Sequence, residues 1–103
     1  MKSVNSEMES IGFLVGIPYT LFVREIGRKT MLVVEGEPVH AVRGGFHKTS
    51  GSYLYTFYKA RYERKDGRMA GLKVYMKNRS FVEVFYRVKK YLEFLEHEKV
   101  KVR

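Results

Sequence analysis

Two stretches of the chain set rings and cations at every second residue. In the first, Tyr53, Tyr55, Phe57, Lys59 and Arg61 alternate with Leu54, Thr56, Tyr58 and Ala60; in the second, Gly71, Lys73, Tyr75 and Lys77 alternate with Leu72, Val74 and Met76. Side chains two apart on a β-strand share a face. If both stretches are strands, each offers flat rings beside ammonium and guanidinium groups. Rings stack unpaired bases with roughly 1 to 3 kcal/mol per base whatever the sequence, and cations neutralise the phosphates. The chemistry this predicts is sequence-tolerant binding of single-stranded DNA or RNA. Tyr53, Tyr55, Phe57 and Tyr75 would stack, and Lys59, Arg61, Lys73 and Lys77 would meet phosphate. Arg43 and Lys48, in a glycine-rich segment from Arg43 to Ser52, add basic reach beside the strands.

Other constellations carry less. The stretch GGFHKT lacks the glycine that a phosphate loop needs before its lysine, because His47 stands there. His40, His47 and His97 lack metal-ligand spacing, and there is no cysteine to assist them. Glu35 and Glu37 could form a carboxylate pair for magnesium, but acids flanking a glycine read first as a solvated turn. Asp66 is the only aspartate and falls in a turn. No serine, histidine and acid set can be nominated, so the reading is of a binder without catalysis, metal or cofactor. Two rival readings stand beside it. One is a structural or adaptor protein, of viral or mobile-element type, that uses the same face for protein contacts. The other is a small metal-independent ribonuclease working with Lys, Arg, Tyr and His.

The elements that must position these residues follow from pattern. Met1 to Ser10 shows no period and is expected to fray. Phe13 to Arg24 reads as an edge strand with a bulge at Gly16 and Pro18. A turn around Gly27 leads to a strand from Met31 to Glu35, then a turn over Glu35 to Pro38 and a short strand over Val39 to Val42. Tyr53 to Arg64 and Arg68 to Lys77 form a hairpin. A two-residue turn there would put Lys59 and Arg61 on the face of Leu72, Val74 and Met76. A three-residue loop over Lys65 to Gly67 separates the faces and sets Lys59 directly opposite Lys73. Like charges facing across strands destabilise a sheet, so that pairing suits a bound anion. In this register the face of Leu54, Thr56, Tyr58, Ala60 and Tyr62 is expected to lie under a helix and the aromatic, cationic face to look outward.

That helix starts at a capping box of Ser80 and Glu83, and Phe81, Val84, Phe85, Val88, Tyr91, Leu92 and Leu95 recur at helical spacing to about His97. Glu83 with Arg87 and Lys89 with Glu93 are four apart and can pair across its exposed side. Val82, Tyr86 and Phe94 fall off the stripe; they are either scattered surface residues or a homodimer contact.

Composition sets the frame. At 103 residues there is room for one core, so residues 11–103 are expected to form one domain after a flexible start over 1–10. Twenty Lys and Arg against eleven Asp and Glu leave a net charge of +9, which attracts polyanions. Residues 24 to 77 hold twelve basic and five acidic side chains, so the imbalance belongs to the strands. Ion-pair networks of the kind found in proteins from hot environments account for many charges but not for this excess. The absence of cysteine fits a reducing compartment, the first ten residues lack a secretory pattern, and no apolar run nears the roughly 20 residues of a membrane helix. A cytoplasmic location and no membrane partner are expected.

The expected fold class is therefore α+β: an antiparallel sheet of four or five strands with one long C-terminal helix on one face. Strands in meander order followed by one C-terminal helix, with a basic and aromatic sheet over Phe13 to Glu98, resemble the Whirly-like and positive-cofactor-four-like single-stranded-DNA-binding domains. The resemblance is one of arrangement, without a shared motif. It implies a homodimer paired through helices that binds strands on its sheets.

Overall fold

The computed structural model describes residues 3–39, 53–63 and 68–102, with side chains described as far as residue 98. Five strands, β1 (Leu14–Ile17), β2 (Leu21–Gly27), β3 (Thr30–Pro38), β4 (Tyr53–Tyr62) and β5 (Met69–Arg79), are flanked by helices α1 (Val4–Ser10) and α2 (Phe81–Val102). The strands pair antiparallel in the order of the sequence. The α+β class, the antiparallel sheet and the helix packed on one face are as expected.

The helix start follows its sequence signal. Ser80 Oγ accepts from the Glu83 amide at 3.3 Å, and the Glu83 carboxylate accepts from the Ser80 amide at 3.2 Å. Two of the amides left over at a helix start are thereby satisfied. Glu83 pairs with Arg79 at 3.6 Å rather than with Arg87, and Glu93 lies 4.0 Å from Lys90 rather than against Lys89.

Three elements differ from the pattern-based expectation. The stretch Phe13 to Arg24 is two strands, because residues 18–20 turn the chain back on itself between β1 and β2. Tyr19 sits there at φ 67°, held by the Asn5 side chain, which accepts from its amide at 2.8 Å, and by the Tyr55 hydroxyl, which donates to its carbonyl at 2.8 Å. Residues 4–10, expected to fray, form α1, capped by Ser3 and anchored by the buried Met8. Arg24 ties down its end by donating to the Ile11 carbonyl at 2.6 Å. The turn expected over Glu35 to Pro38 is continuous strand paired with Tyr53 to Thr56. Gly36 is needed there for space: a Cβ at that position would stand 2.5 Å from the Tyr55 ring. The expected strand at Val39 to Val42 and the segment Arg43 to Ser52 lie, from residue 40 onward, outside the described residues.

The core is a single cluster of Met8, Phe13, Phe22, Leu32, Val34, Tyr55, Phe57, Val84 and Val88. Rings join the sheet to α2. Tyr55 meets Phe81 edge-on at 5.5 Å, Phe57 meets Tyr91 edge-on at 6.0 Å, and Tyr75 lies 5.1 Å from both Phe57 and Tyr91. Tyr55 keeps 2% of its surface exposed and Phe57 none. The covered face of the sheet is thus the reverse of the one expected. Large rings remove about 150 to 250 Å² each from water. With Phe22 and Val34 aligned beside Phe57 by strand pairing, this face outweighs the one carrying Leu54, Thr56 and Ala60.

Candidate functional site

In the middle of the second hairpin Lys59 stands opposite Lys73, Ala60 opposite Leu72 and Arg61 opposite Gly71, as expected. Toward the loop the register shifts by one: Tyr62 stands opposite Met69 and the Glu63 amide donates to the Arg68 carbonyl at 2.6 Å, which a three-residue loop over Lys65 to Gly67 does not give. The loop residues 64–67 themselves lie outside the described residues. Further along, Tyr58 faces Val74 while Phe57 faces Met76, so Tyr75 is an extra residue on β5. This bulge turns both Tyr75 and Met76 against the core. It also carries Lys77 to the other side of the sheet, beside Glu35, Glu37, Leu54 and Thr56.

The stacking roles expected of the rings are corrected by their burial. Tyr55 and Phe57 lie beneath α2, and Tyr53 and Tyr75 are half-buried and packed on the same cluster. Tyr55 and Phe57 therefore offer no face to a base, and Tyr53 and Tyr75 only part of one. Burial pushes the Tyr55 phenol up to about 12, with Tyr53 and Tyr19 adding to the shift. Arg43 and Lys48 lie outside the described residues.

What remains of the expected site is its cations, and they stay together. On the α2 side of the hairpin Lys59, Arg61 and Lys73, with Gly71 and Leu72, border a shallow concavity of about 210 Å³. Gly71 leaves its floor open, since a Cβ there would meet only the Cβ of Arg61 at 4.0 Å. The two ion pairs among the described residues are those of Arg79 and Lys90, so Lys59, Arg61 and Lys73 carry no carboxylate partner there. Burial raises the Tyr91 phenol above its ordinary range and Tyr75 adds to this, while the neighbouring Lys59 ammonium works against it. Charges on this face are tolerated because they stand at the margin of the core, Arg61 and Lys73 in water and Lys59 half-buried with an aliphatic stem that can run along apolar surface.

The helix extends the shelf with residues that strand alternation could not reveal. The Arg87 guanidinium stands 5.3 Å and the Lys73 ammonium 5.7 Å from the centre of the Tyr75 ring. Phe94, exposed, lies 6.2 Å from Tyr91. The signal available in the sequence was the position of Arg87 and Tyr91 one turn apart, at the flank of the apolar stripe. Val82 and Tyr86 are exposed on the outer side of α2, with Lys90 over the Tyr86 ring at 5.8 Å.

Other candidates do not gather. Glu35 and Glu37 are exposed at one end of the opposite face, where Glu35 accepts from the Tyr58 phenol at 3.1 Å. Burial first, and then this carboxylate, push the Tyr58 phenol up to about 12. His97 is exposed on α2, and His40 and His47 are outside the described residues. Among the described residues no three His, Asp or Glu side chains gather as a metal site, and no helix is long and apolar enough to cross a membrane.

No family model and no solved structure matches the chain. It is 50% identical over 99 residues to the "Uncharacterized protein YddA" of Bacillus subtilis (strain 168), a match spanning 96% of this chain and 88% of that protein. With half its residues shared over nearly its whole length, the chain belongs to the family of YddA.

Proposed function

We propose that this protein binds single-stranded nucleic acid through its phosphates, along the shelf where β4 and β5 project beside α2. The observation that carries the reading is the cross-strand Lys59 and Lys73 pair, with Arg61 next to it and no carboxylate partner for any of the three among the described residues. Such a cluster is destabilising in the free protein, and an anion between the two ammonium groups turns the repulsion into binding energy. The net charge of +9 steers a polyanion toward it. Arg87 extends the cationic line onto the helix, and exposed Phe94 offers a ring to one base. This differs from a stacking platform in one respect: phosphate contacts, and not ring contacts, supply most of the affinity. The reading is of a binder rather than an enzyme.

A fluorescence anisotropy titration with short labelled oligonucleotides, at two salt concentrations and with single-stranded DNA, single-stranded RNA and duplex arms, tests it. Binding should weaken steeply with salt. Replacing Lys59 and Lys73 by Ala should lower the slope of log affinity against log salt by about 0.7 for each phosphate that is no longer neutralised. Absence of binding at low salt, or a slope unchanged in the double variant, overturns the proposal. The RNA recovered from the same samples separates binding from ribonuclease action, because binding alone leaves the strand uncut.

A further inference from the structure

The turn between β2 and β3 consists of Arg28 and Lys29, set between the paired residues Gly27 and Thr30. Both are exposed. Lys29 stands at φ 59°, in the left-handed region that glycine or asparagine enters more readily than lysine. The turn is fastened to β4, because the Tyr62 amide donates to the Lys29 carbonyl at 2.9 Å and Thr30 pairs with Arg61. Two successive cations are thereby fixed at the end of the sheet, one strand away from Lys59 and Arg61. A backbone position that costs strain and still carries a charged side chain points to a use for that charge.

Arg61 joins the two groups of cations. It borders the concavity of about 210 Å³ that holds Lys59 and Lys73, and it also borders a second hollow of about 440 Å³ with Arg28, Lys29 and Thr30. Glu63 is the one acid lining the second hollow among the described residues, and it forms an ion pair with none of the three cations there. The second hollow therefore keeps an excess of positive charge. The two hollows also follow one line. From Lys73 to Lys29 it crosses two strand spacings of about 4.8 Å and advances three residues of about 3.3 Å, a distance of about 14 Å. At about 3.4 Å for each nucleotide of a stacked strand, that is the length of about four nucleotides. A small anion would fill one hollow and leave the other empty. Cations spread over this length match a ligand whose negative charges repeat.

We propose that the nucleic-acid path does not stop at the shelf beside α2 but turns at Arg61 over the end of the sheet, where Arg28 and Lys29 form a second phosphate subsite. This rests on the reading of the shelf as a phosphate site. It adds two contacts to that site and runs the bound strand across β5, β4 and β3 in turn.

Fluorescence anisotropy over a salt series, with a labelled thymidine oligomer of about 12 nucleotides, a length within the range of single-strand sites, tests it. Arg28→Ala with Lys29→Gly should lower the slope of log affinity against log salt by about 1.4, or about 0.7 for each phosphate no longer neutralised. Lys89→Ala with Lys90→Ala removes as much charge from α2, away from both hollows, and should lower the slope less. A slope unchanged by the turn variant, while Lys59→Ala with Lys73→Ala lowers it, overturns the second subsite and leaves the shelf standing. An equal fall in the α2 variant overturns the subsite too, since total charge would then account for the effect. A fall in the turn variant with the shelf variant unchanged overturns the shelf and with it the continuous path. No binding by the unaltered protein at low salt overturns both. Should the turn variant lose the circular dichroism of the unaltered protein, Lys29→Gly alone, which relieves the positive φ, should lower the slope by about 0.7. An unchanged slope in that variant overturns the subsite.

Discussion

Truncating Phe57 distinguishes a ring that serves as a surface platform from one that holds the protein together. Phe57 retains no exposed surface and touches Tyr75 and Tyr91 at 5.1 and 6.0 Å. Phe57→Ala removes about 150 Å² of apolar burial, worth about 4 kcal/mol at about 25 cal/mol per Å². Neighbours can refill the space only partly, because α2 is fixed above it by Phe81, Val84 and Val88, so the loss should lie at about 3 to 5 kcal/mol. A domain of this size holds about 5 to 15 kcal/mol in total. With a urea dependence of about 1.5 kcal/mol per molar, the midpoint should fall by about 2 to 3 M. The chain has no tryptophan, so far-ultraviolet circular dichroism is the readout. Val82→Ala, on the outer side of α2, is the control and should stay within about 0.5 kcal/mol. A loss below about 1 kcal/mol for Phe57→Ala would refute the burial of the aromatic face beneath the helix.

Gly36→Ala sets a methyl 2.5 Å from a Tyr55 ring that is itself buried, and should cost about 1 to 3 kcal/mol in the same urea titration. Ser80→Ala removes the acceptor for the Glu83 amide and half of the capping box, and should cost about 1 kcal/mol. Stability should also fall at high pH. The Tyr55 and Tyr58 phenols are raised from 10.0 to about 12 in the fold, so the folded protein keeps protons that the unfolded chain gives up. Their contribution is fully present below pH 10 and is lost between pH 10 and about 12. Urea midpoints measured from neutral pH to pH 12 should decline only in that window, and Tyr58→Phe should reduce the decline.

Local pattern carried the start of α2 and the fold class, because each rests on contacts between near neighbours, but of the second hairpin only the middle, where Lys59 faces Lys73, has the register expected. The capping box rests on residues three apart, whereas Lys59 comes opposite Lys73 only because the register shifts between Arg61 and Tyr62. The face that α2 covers was not legible in the same way. Alternation in β4 defines two faces, but the choice between them depends on Phe22, Leu32 and Val34, which join Tyr55 and Phe57 only after three strands have paired. Two charges on the aromatic face argued that it looks outward. The argument failed because Arg61 and Lys73 stand exposed beyond the cover of the helix and only Lys59 is half-buried. Gly36 and Pro38 misled for a related reason. Glycine is absent from most strands because it packs nothing, yet here its bareness accommodates a ring from the neighbouring strand. The strand break after Ile17 rests likewise on Asn5 and Tyr55, both distant in sequence from Tyr19.

The two surfaces of the sheet divide the work between them. Rings that would have bound bases instead fix α2 to β4 and β5, and this leaves the cations beside the helix as the site for an anion. Of the aliphatic residues that would have lain under the helix, Leu72 and Val74 stand exposed, while Ala60 is buried and Met76 is packed on the core. A short oligonucleotide should therefore bind Val82→Ala and the unaltered protein alike, while Lys59 and Lys73 substitutions should weaken its binding. Binding left unchanged by the Lys59 and Lys73 substitutions would mean that the division drawn from burial and charge is wrong.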